Sequence, residues 1–495
     1  MSILLYMMHR KMIFLKWPVL FICLILMSKN SVGQQVVWAN KNNLDRRTDF
    51  TKVIGQNKHG IYVLKHKNST FRRYFILEHF DKKLNLLKSK SFKMPGGELE
   101  KIIVTENNVI YFSKVFGKGF NYKLQMQSID SAFNESYPTV IASSENFDNE
   151  TVDFKIEYNT KKTKFLVWYL IDASDSSVLN YHLCNPKGIE RSGSTSLRFN
   201  LSELFIGDDM IDNDGNLFIL YTRSEKFRSK NSQDFSHYFF GYNLYTGRKF
   251  NSLINNSKTY ISSYKLSYNY INNSVFAFGL YGNNEEEENI GYFQIRANIS
   301  NSEISDVSFN AFDRKFIASI IGVKNEQKGE NISKFKIRKL VPKADGGTLF
   351  IAERTYVTTQ SEIFYVNGIP QSTYARIYNS DEVILLNLDS AGQIIWTDII
   401  FKNQSTTNDG GYYNGIVVMV NEDKVSLLYN DKLNANADII QITYDADGQH
   451  TKKILLNNDQ YYALVIPGES SQVTSNSIVI PINQNRDFTY IKLLY

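Results

Sequence analysis

The chain has 495 residues, and its 56 Lys and Arg against 50 Asp and Glu give a formal charge of +6. Arg10, Lys11, Lys16 and Lys29 precede residue 34 and no acid does, so the remainder carries only about +2. That balance argues against a nucleic-acid binder, which needs a basic footprint, and leaves no polybasic stripe for anionic lipid.

The first segment reads as an export signal spanning 1–33. Basic residues precede an apolar stretch from Trp17 to Met27, and Ser31-Val32-Gly33 supplies small residues for cleavage before Gln34. The apolar core is well short of the ~20 residues that span a bilayer. Cys23 follows Ile22, a β-branched residue where lipid attachment wants a small one, so lipidation is rejected. Cleavage leaves Cys184 as the one remaining cysteine, hence no internal disulfide, and the fold must rest on its apolar core. The expected product is a secreted or periplasmic protein with no transmembrane span after cleavage.

From residue 34 to 495 no Pro-, Gly- or Ser-rich linker interrupts the chain, which argues for one domain. Eight apolar runs recur, beginning at Ile61, Val109, Phe165, Leu217, Val275, Leu349, Val425 and Ile478. Their starts lie roughly 48 to 76 residues apart, close to the ~40 to 50 residue period of four-stranded propeller blades stretched by insertions. Abundant Tyr, Phe, Ile and Val with polar alternation favours strands, and no segment holds a 3.6-residue apolar period. The expected fold is therefore all-β: a single β-propeller of four-stranded antiparallel blades.

Unit six is the clearest. Lys334 to Leu340, Thr348 to Glu353, Glu382 to Leu388 and Gln393 to Phe401 read as its four strands, with Ala344-Asp345-Gly346-Gly347 and Asp389-Ser390-Ala391-Gly392 as turns. Unit seven repeats the plan from Gly415 to Leu456. Unit eight supplies only three strands, Tyr462 to Ile466, Ile478 to Ile482 and Phe488 to Leu494. The missing fourth is expected from Gln35-Val36-Val37-Trp38, closing the ring and removing exposed edges. This favours eight blades over seven.

In such blades the second-to-third connections emerge on one face, together with the connections between blades. Asp/Gly turns fall on the other face. The long second-to-third segments are Lys65 to Arg73, Lys114 to Tyr122, Ser224 to His237, Gly282 to Asn289 and Val357 to Ser380. Long irregular loops in a compact fold usually carry function. Ligand-binding candidates on that face are Phe116, Phe120 and Tyr122 in one segment and Phe364, Tyr365, Tyr374, Arg376 and Tyr378 in another, since aromatics and Arg dominate binding hot spots.

Signals for catalysis are weak. There is no H-E-x-x-H, G-x-S-x-G elbow or P-loop, and His182 with Cys184 is the one pair at ligand spacing on a strand face, a pattern more often ordinary packing than metal. Asp208-Asp209 with Asp212-Asn213-Asp214-Gly215-Asn216 is the densest oxygen cluster and makes Asp212 and Asp214 weak Ca²⁺ candidates. It lacks the placed glycine and distant Glu of an EF-hand, so an Asx-type turn is the favoured reading and no cofactor is expected. Glu285 to Glu288 reads as a solvated loop.

Asp389 to Trp396 and Tyr245-Thr246-Gly247-Arg248 resemble the repeats of quinoprotein-like propellers, although the first is one residue short of that spacing. The resemblance supports a propeller and not a quinone cofactor. Gly346 to Glu353, Glu382 to Trp396, Asn408 to Asn414 (NDGGYYN) and Leu428 to Asp431 are similar to a group of uncharacterised secreted propeller proteins from Bacteroidota, specifically over residues 334–456. That resemblance implies an envelope location and transfers no catalytic residue. The functional expectation is a monomeric, non-enzymatic module that presents one loop-rich face to a protein or glycan of the cell envelope. The alternative is a polysaccharide hydrolase or lyase acting from the same face. For the signal itself, N-terminal sequencing of exported protein should read Gln34 first; a product retaining Trp17 to Met27 would mean an anchor.

Overall fold

The computed structural model describes residues 34–495 apart from 40–49, 67–73, 95–96, 118–120, 145–151, 174–175, 198, 200–203, 227–232, 258, 270–273, 284–287, 299–302, 367–368, 434–436, 458–462 and 485–486. The export segment lies outside the described residues.

Among the described residues, eight antiparallel sheets of four or five strands follow one another along the chain, and Glu288–Asn289 pairs with Ile332–Ser333 in a separate two-stranded one. Blade one is Phe50–Gln56, Ile61–His66, Tyr74–Phe80 and Leu86–Lys93, and blade two is Gly97–Val104, Val109–Phe116, Tyr122–Ile129 and Thr139–Ser143. Blade three is Lys155–Tyr158, Phe165–Ala173, Ser176–Asn185 and Gly188–Leu197, and blade four is Leu204–Ile211, Asn216–Lys226, Gln233–Asn243 and Lys249–Ser257. Blade five takes Tyr260–Asn269, Ser274–Gly282, Gly291–Asn298 and Glu303–Ala311, and blade six Phe335–Pro342, Thr348–Val366, Ile369–Leu388 and Ile394–Ile400. Val417–Val420, Val425–Asn430, Ile439–Tyr444 and His450–Leu456 form blade seven. Blade eight is Ala463–Val465 and Ser471–Thr474 as a broken inner strand, then Ser477–Gln484 and Asp487–Leu494, and its outer strand is Gln35–Trp38. The register Gln35↔Leu494 to Trp38↔Ile491 joins the two ends of the described chain in one sheet, as expected.

Why the blades stack is legible in burial. Each second strand is apolar on both faces, as in Phe165–Ala173 (FLVWYLIDA) and Ser274–Gly282 (SVFAFGLYG), because a neighbouring blade lies against each side. A separate apolar cluster fills every junction. One of these, built from Ala39, Val53, Ile61, Val63, Phe80, Leu84, Val479 and Tyr490, sits between blades eight and one. The ring is therefore sealed by packing as well as by strand pairing. Outer strands are exposed on their free sides, and Lys88, Lys90 and Lys93 or Lys452 and Lys453 place charge where an open edge would otherwise pair with another chain.

Asx turns repeat across one face. Asp81, Asp212, Asp389 and Asp445 each accept, through one carboxylate oxygen, the backbone N–H groups two and four residues on. Gly215, Gly392 and Gly448 occupy the fourth turn position at φ of 81°, 81° and 82°, where a Cβ would be strained.

Two expectations are corrected here. Arg314–Ile321 and Val323–Gln327 are helices between blades five and six. Asp313 caps the first, accepting from Lys315 N at 2.7 Å, and Ile317 is buried against the blade core. With only about two turns the helix is too short to show a period; its signals were the Asp313 cap and Gly322. Val357 to Ser380 is not an irregular loop either. It is the distal part of a hairpin whose ladder continues without break from Thr355↔Ser380 to Val366↔Ile369. Its β-branched and aromatic residues (TYVTTQSEIFYV) prolong the blade-six strands into a ribbon standing beyond the sheet. A chain lacking residues 34–39 should melt roughly 5 °C or more below the chain starting at Gln34, because it opens an edge in blade eight and a hole at the seam. Equal melting temperatures in calorimetry would show that these residues do not close the ring.

Candidate binding site

The ribbon rises from the face that carries the interblade connections, and a cavity of about 580 Å³ opens at its base. Three elements wall it. Lys334, just before the first strand of blade six, and Lys336 and Arg338 on that strand form one wall; the ribbon base contributes Thr355, Tyr356, Val357, Tyr378, Asn379 and Ser380; and the blade six to seven connection contributes Gly410, Gly411, Tyr412 and Asn414. Gly468 and Glu469 complete it from a short 3-10 turn that interrupts the inner part of blade eight.

The connection is the NDGGYYN segment. Asn408, Gly410 and Gly411 have φ of 57°, 74° and 74°, a left-handed path that only Gly and Asn take readily. It delivers Tyr412 across to blade one, where its hydroxyl donates to Thr51 O at 3.1 Å and accepts from Thr51 N at 3.0 Å. Thr51 Oγ1 in turn meets the buried Tyr490 hydroxyl at 2.8 Å. Asn414 Nδ2 donates to Tyr378 O at 2.8 Å, fixing the segment to the ribbon.

Beneath the cavity lies a buried ionic cluster. Glu353 is fully buried and meets Lys402 Nζ at 2.7 Å, Arg338 Nε at 2.5 Å and Ser380 Oγ at 2.6 Å. Burial alone would raise the Glu353 pKa, but Lys402 and Arg338 outweigh it and hold the carboxyl below its usual range. Lys402 also donates to Ser380 O and to Gln404 Oε1, Gln404 Nε2 donates to Asn430 O, and Asn430 Nδ2 donates to Val465 O. The chain of bonds runs unbroken from blade six to blade eight, so it sets the positions of the ribbon and the connection relative to the seam.

Of the sequence candidates, Tyr378 lines the cavity, while Tyr374 and Arg376 lie exposed farther out on the ribbon, Tyr374 at 68%. Phe364 and Tyr365 fall in the ribbon strands, with side chains outside what the structure describes, and Phe120 is outside the described residues. Phe116 is exposed, with Lys114 5.8 Å from its ring. Tyr122 is corrected: it is buried, and its hydroxyl donates to Val152 O at 3.1 Å and accepts from Val152 N at 2.8 Å. Alternation along its strand turns it into the interblade core. The two aromatic groups sit on blades two and six, four blades apart in the ring, so they are not one site.

Asp212 is the turn acid described above. It is buried, with Oδ1 accepting from Asp214 N and Asn216 N and Oδ2 from Asn216 Nδ2. Asp214 is exposed on the same turn. Cys184 is buried in the core between blades two and three, where burial pushes its thiol up to about 12, and His182 Nδ1 meets Ser192 Oγ at 2.8 Å. Sequence reasoning missed the cations Lys334, Lys336 and Arg338. The available signal was the alternation of Lys336 and Arg338 with Phe335 and Ile337, which puts two positive charges on one side of a strand, with Lys334 directly before it.

A second set of charges lies on first strands elsewhere in the ring. Glu157 is 3.3 Å from Lys101 and burial lifts its carboxyl to about 7; Asp209 accepts from Trp168 Nε1 at 2.7 Å and Asp208 from Leu266 N at 2.6 Å. None of these lines the cavity beside the ribbon. Among the described residues no helix is long and apolar enough to cross a membrane.

No family model and no curated protein matches the chain. Among solved structures it is similar to apo prolyl oligopeptidase B from Galerina marginata, at 10% identity and TM-score 0.42 over 89% of this chain and 56% of that one. It is also similar to the WD40 domain of SCAP from fission yeast, at 10% and 0.36 over 93% and 97%. The β-propeller domain of the Trilobed protease from Pyrococcus furiosus gives 9% and 0.34 over 83% and 97%. The chain spans about half the length of the prolyl oligopeptidase it resembles. Likeness at these scores carries no site and no activity across; the propeller assignment rests on the eight sheets themselves.

The ionic cluster makes a stability prediction. Lys402→Met should destabilise by about 3–5 kcal/mol in urea unfolding, since it strips a fully buried carboxylate of the cation buried with it and leaves only the partly exposed Arg338. Adding Glu353→Leu should restore most of that loss, because the pair is then replaced by apolar groups. Additive losses would show that the two side chains act independently.

Proposed function

We propose that the protein is a ligand-binding propeller that recognises a protein or glycan with the ribbon face, the cavity beside Tyr378 being the recognition site. The carrying observation is that side chains and backbone from blade six, the blade six to seven connection and blade eight converge on one cavity with a ribbon standing beside it, whereas the cavities of about 560 and 520 Å³ on the opposite face lie between short turns, several of them Asx turns satisfied by their own backbone. A hydrolytic reading needs paired carboxylates about 5–9.5 Å apart around the ligand. Glu469 lines the cavity and is bridged to Lys52 at 3.1 Å, and Glu353 is sealed beneath by Lys402 and Arg338, which supports binding over hydrolysis. Membership among secreted Bacteroidota propellers and an envelope location belong to the same proposal.

A panel of envelope glycans and proteins screened against the chain starting at Gln34 tests it. Tyr374→Ala, Arg376→Ala and Tyr378→Ala together should weaken the ligand found by at least about tenfold and lower the melting temperature only slightly, since aromatic and Arg side chains concentrate binding energy while Tyr374 and Arg376 are exposed and Tyr378 is half-buried. Unchanged affinity overturns the assignment of the ribbon face, and turnover of a panel glycan overturns the non-catalytic reading.

A further inference from the structure

Resting on the cavity as the recognition site, we infer that its ligand is an anionic, carboxylate-bearing oligosaccharide, with Lys334 and Lys336 as the anion contacts. The cations near the cavity are not equivalent. Arg338 and Lys402 are committed to Glu353. Lys334 and Lys336 have no carboxylate partner among the described residues, and both line the cavity. Glu469, the acid on the wall, is itself bridged to Lys52. The cavity thus presents two unmatched ammonium groups, and an anionic ligand would complete them.

Lys334 adds a second, independent sign. Its backbone sits at φ 65°, a conformation costly for a residue with a Cβ, and the surrounding structure holds it there through Thr355 N donating to Lys334 O at 2.9 Å. Its ammonium stands 5.0 Å from the centre of the Tyr356 ring. The side chain is therefore aimed along the ribbon base, and a Gly in this position would relax the backbone but lose the charge.

The same backbone bonds argue for a sugar over an acidic peptide. Extended peptides are commonly held by adding a strand to an open sheet edge. At the ribbon base one edge is engaged by the Lys334 carbonyl, and the other is paired with Gln404–Thr407 through Ile377↔Thr407 to Ser380↔Gln404. Recognition there is left to side chains: the hydroxyls and amides of Thr355, Asn379 and Asn414, the Tyr378 ring and the two lysines. Such a set suits a polyhydroxylated ligand carrying a few carboxylates, and about 580 Å³ is within the range of small-ligand cavities.

Titration calorimetry with trigalacturonate, neutral trigalactose and a Glu-rich peptide against the chain starting at Gln34 tests this. Trigalacturonate should bind and weaken with added salt, and K334Q/K336Q should reduce its affinity by at least about tenfold, while K187Q/K452Q, which removes two exposed lysines elsewhere, should change it less than about twofold. Circular dichroism melting of each variant confirms that the fold is kept. Equal affinity for trigalactose, equal loss in the two double variants, or preference for the peptide would each overturn the inference. If trigalacturonate does not bind while a neutral ligand binds in a Tyr378-dependent way, the anionic inference falls and the recognition site stands.

Discussion

Everything in this molecule depends on one strand pairing. Four residues, Gln35–Trp38, complete a sheet whose other strands all come from the opposite end of the described chain. Without them blade eight is three strands wide, its outer edge is open and the Ala39 side of the seam is bare. A propeller has no central core to fall back on; each blade is stabilised by its two neighbours, so a gap at one junction weakens both flanking blades. The seam is reinforced by polar contacts as well: Tyr490 bonds Thr51, Tyr412 bonds the Thr51 backbone, and buried Lys65 pairs with Glu78 at 2.8 Å, with its ammonium 5.6 Å from the Tyr490 ring.

The two faces of the ring differ for a reason that begins in local chemistry. An Asp whose carboxylate satisfies two backbone N–H groups makes a turn self-sufficient, with little polar capacity left for a ligand. Where this device recurs, connections stay short. The other face lacks it, and there the chain extends blade six by a ribbon, breaks the inner part of blade eight with a 3-10 turn and sends Tyr412 across to blade one. The ribbon base would be marginal as an isolated two-stranded element. Gln404–Thr407 widens it on one side and the Asn414 and Lys402 bonds fix it from below.

Fold and site were legible to different depths. The period of apolar runs, the Asp/Gly turns and the shortage of one strand in unit eight led to eight blades and to closure by Gln35–Trp38, because burial and turn chemistry act locally. The ribbon was misread: Val357 to Ser380 has strand-forming residues, but a hairpin standing clear of the sheet lacks the two-sided apolar run that marks a buried strand. Tyr122 was misplaced because a residue next to a loop can face either side of its strand, and alternation from Leu124 and Met126, both buried, would have placed it inward. The cavity itself was invisible. Lys334, Tyr378 and Glu469 are far apart in sequence, and no local rule predicts that Asn408 to Asn414 bridges two blades.

The register Gln35↔Leu494 also bears on how the chain reaches this state. The pairing joins residues almost the whole described chain apart, a loop-closure cost that no local contact repays in advance. Blades one to seven can each assemble from contiguous sequence, whereas blade eight cannot. Until its last strand is available, Gln35–Trp38 is an unpaired apolar segment open to chaperones or to another molecule's blade eight. The slow step of folding is then ring closure, and the natural error is an exchange of this strand between two chains.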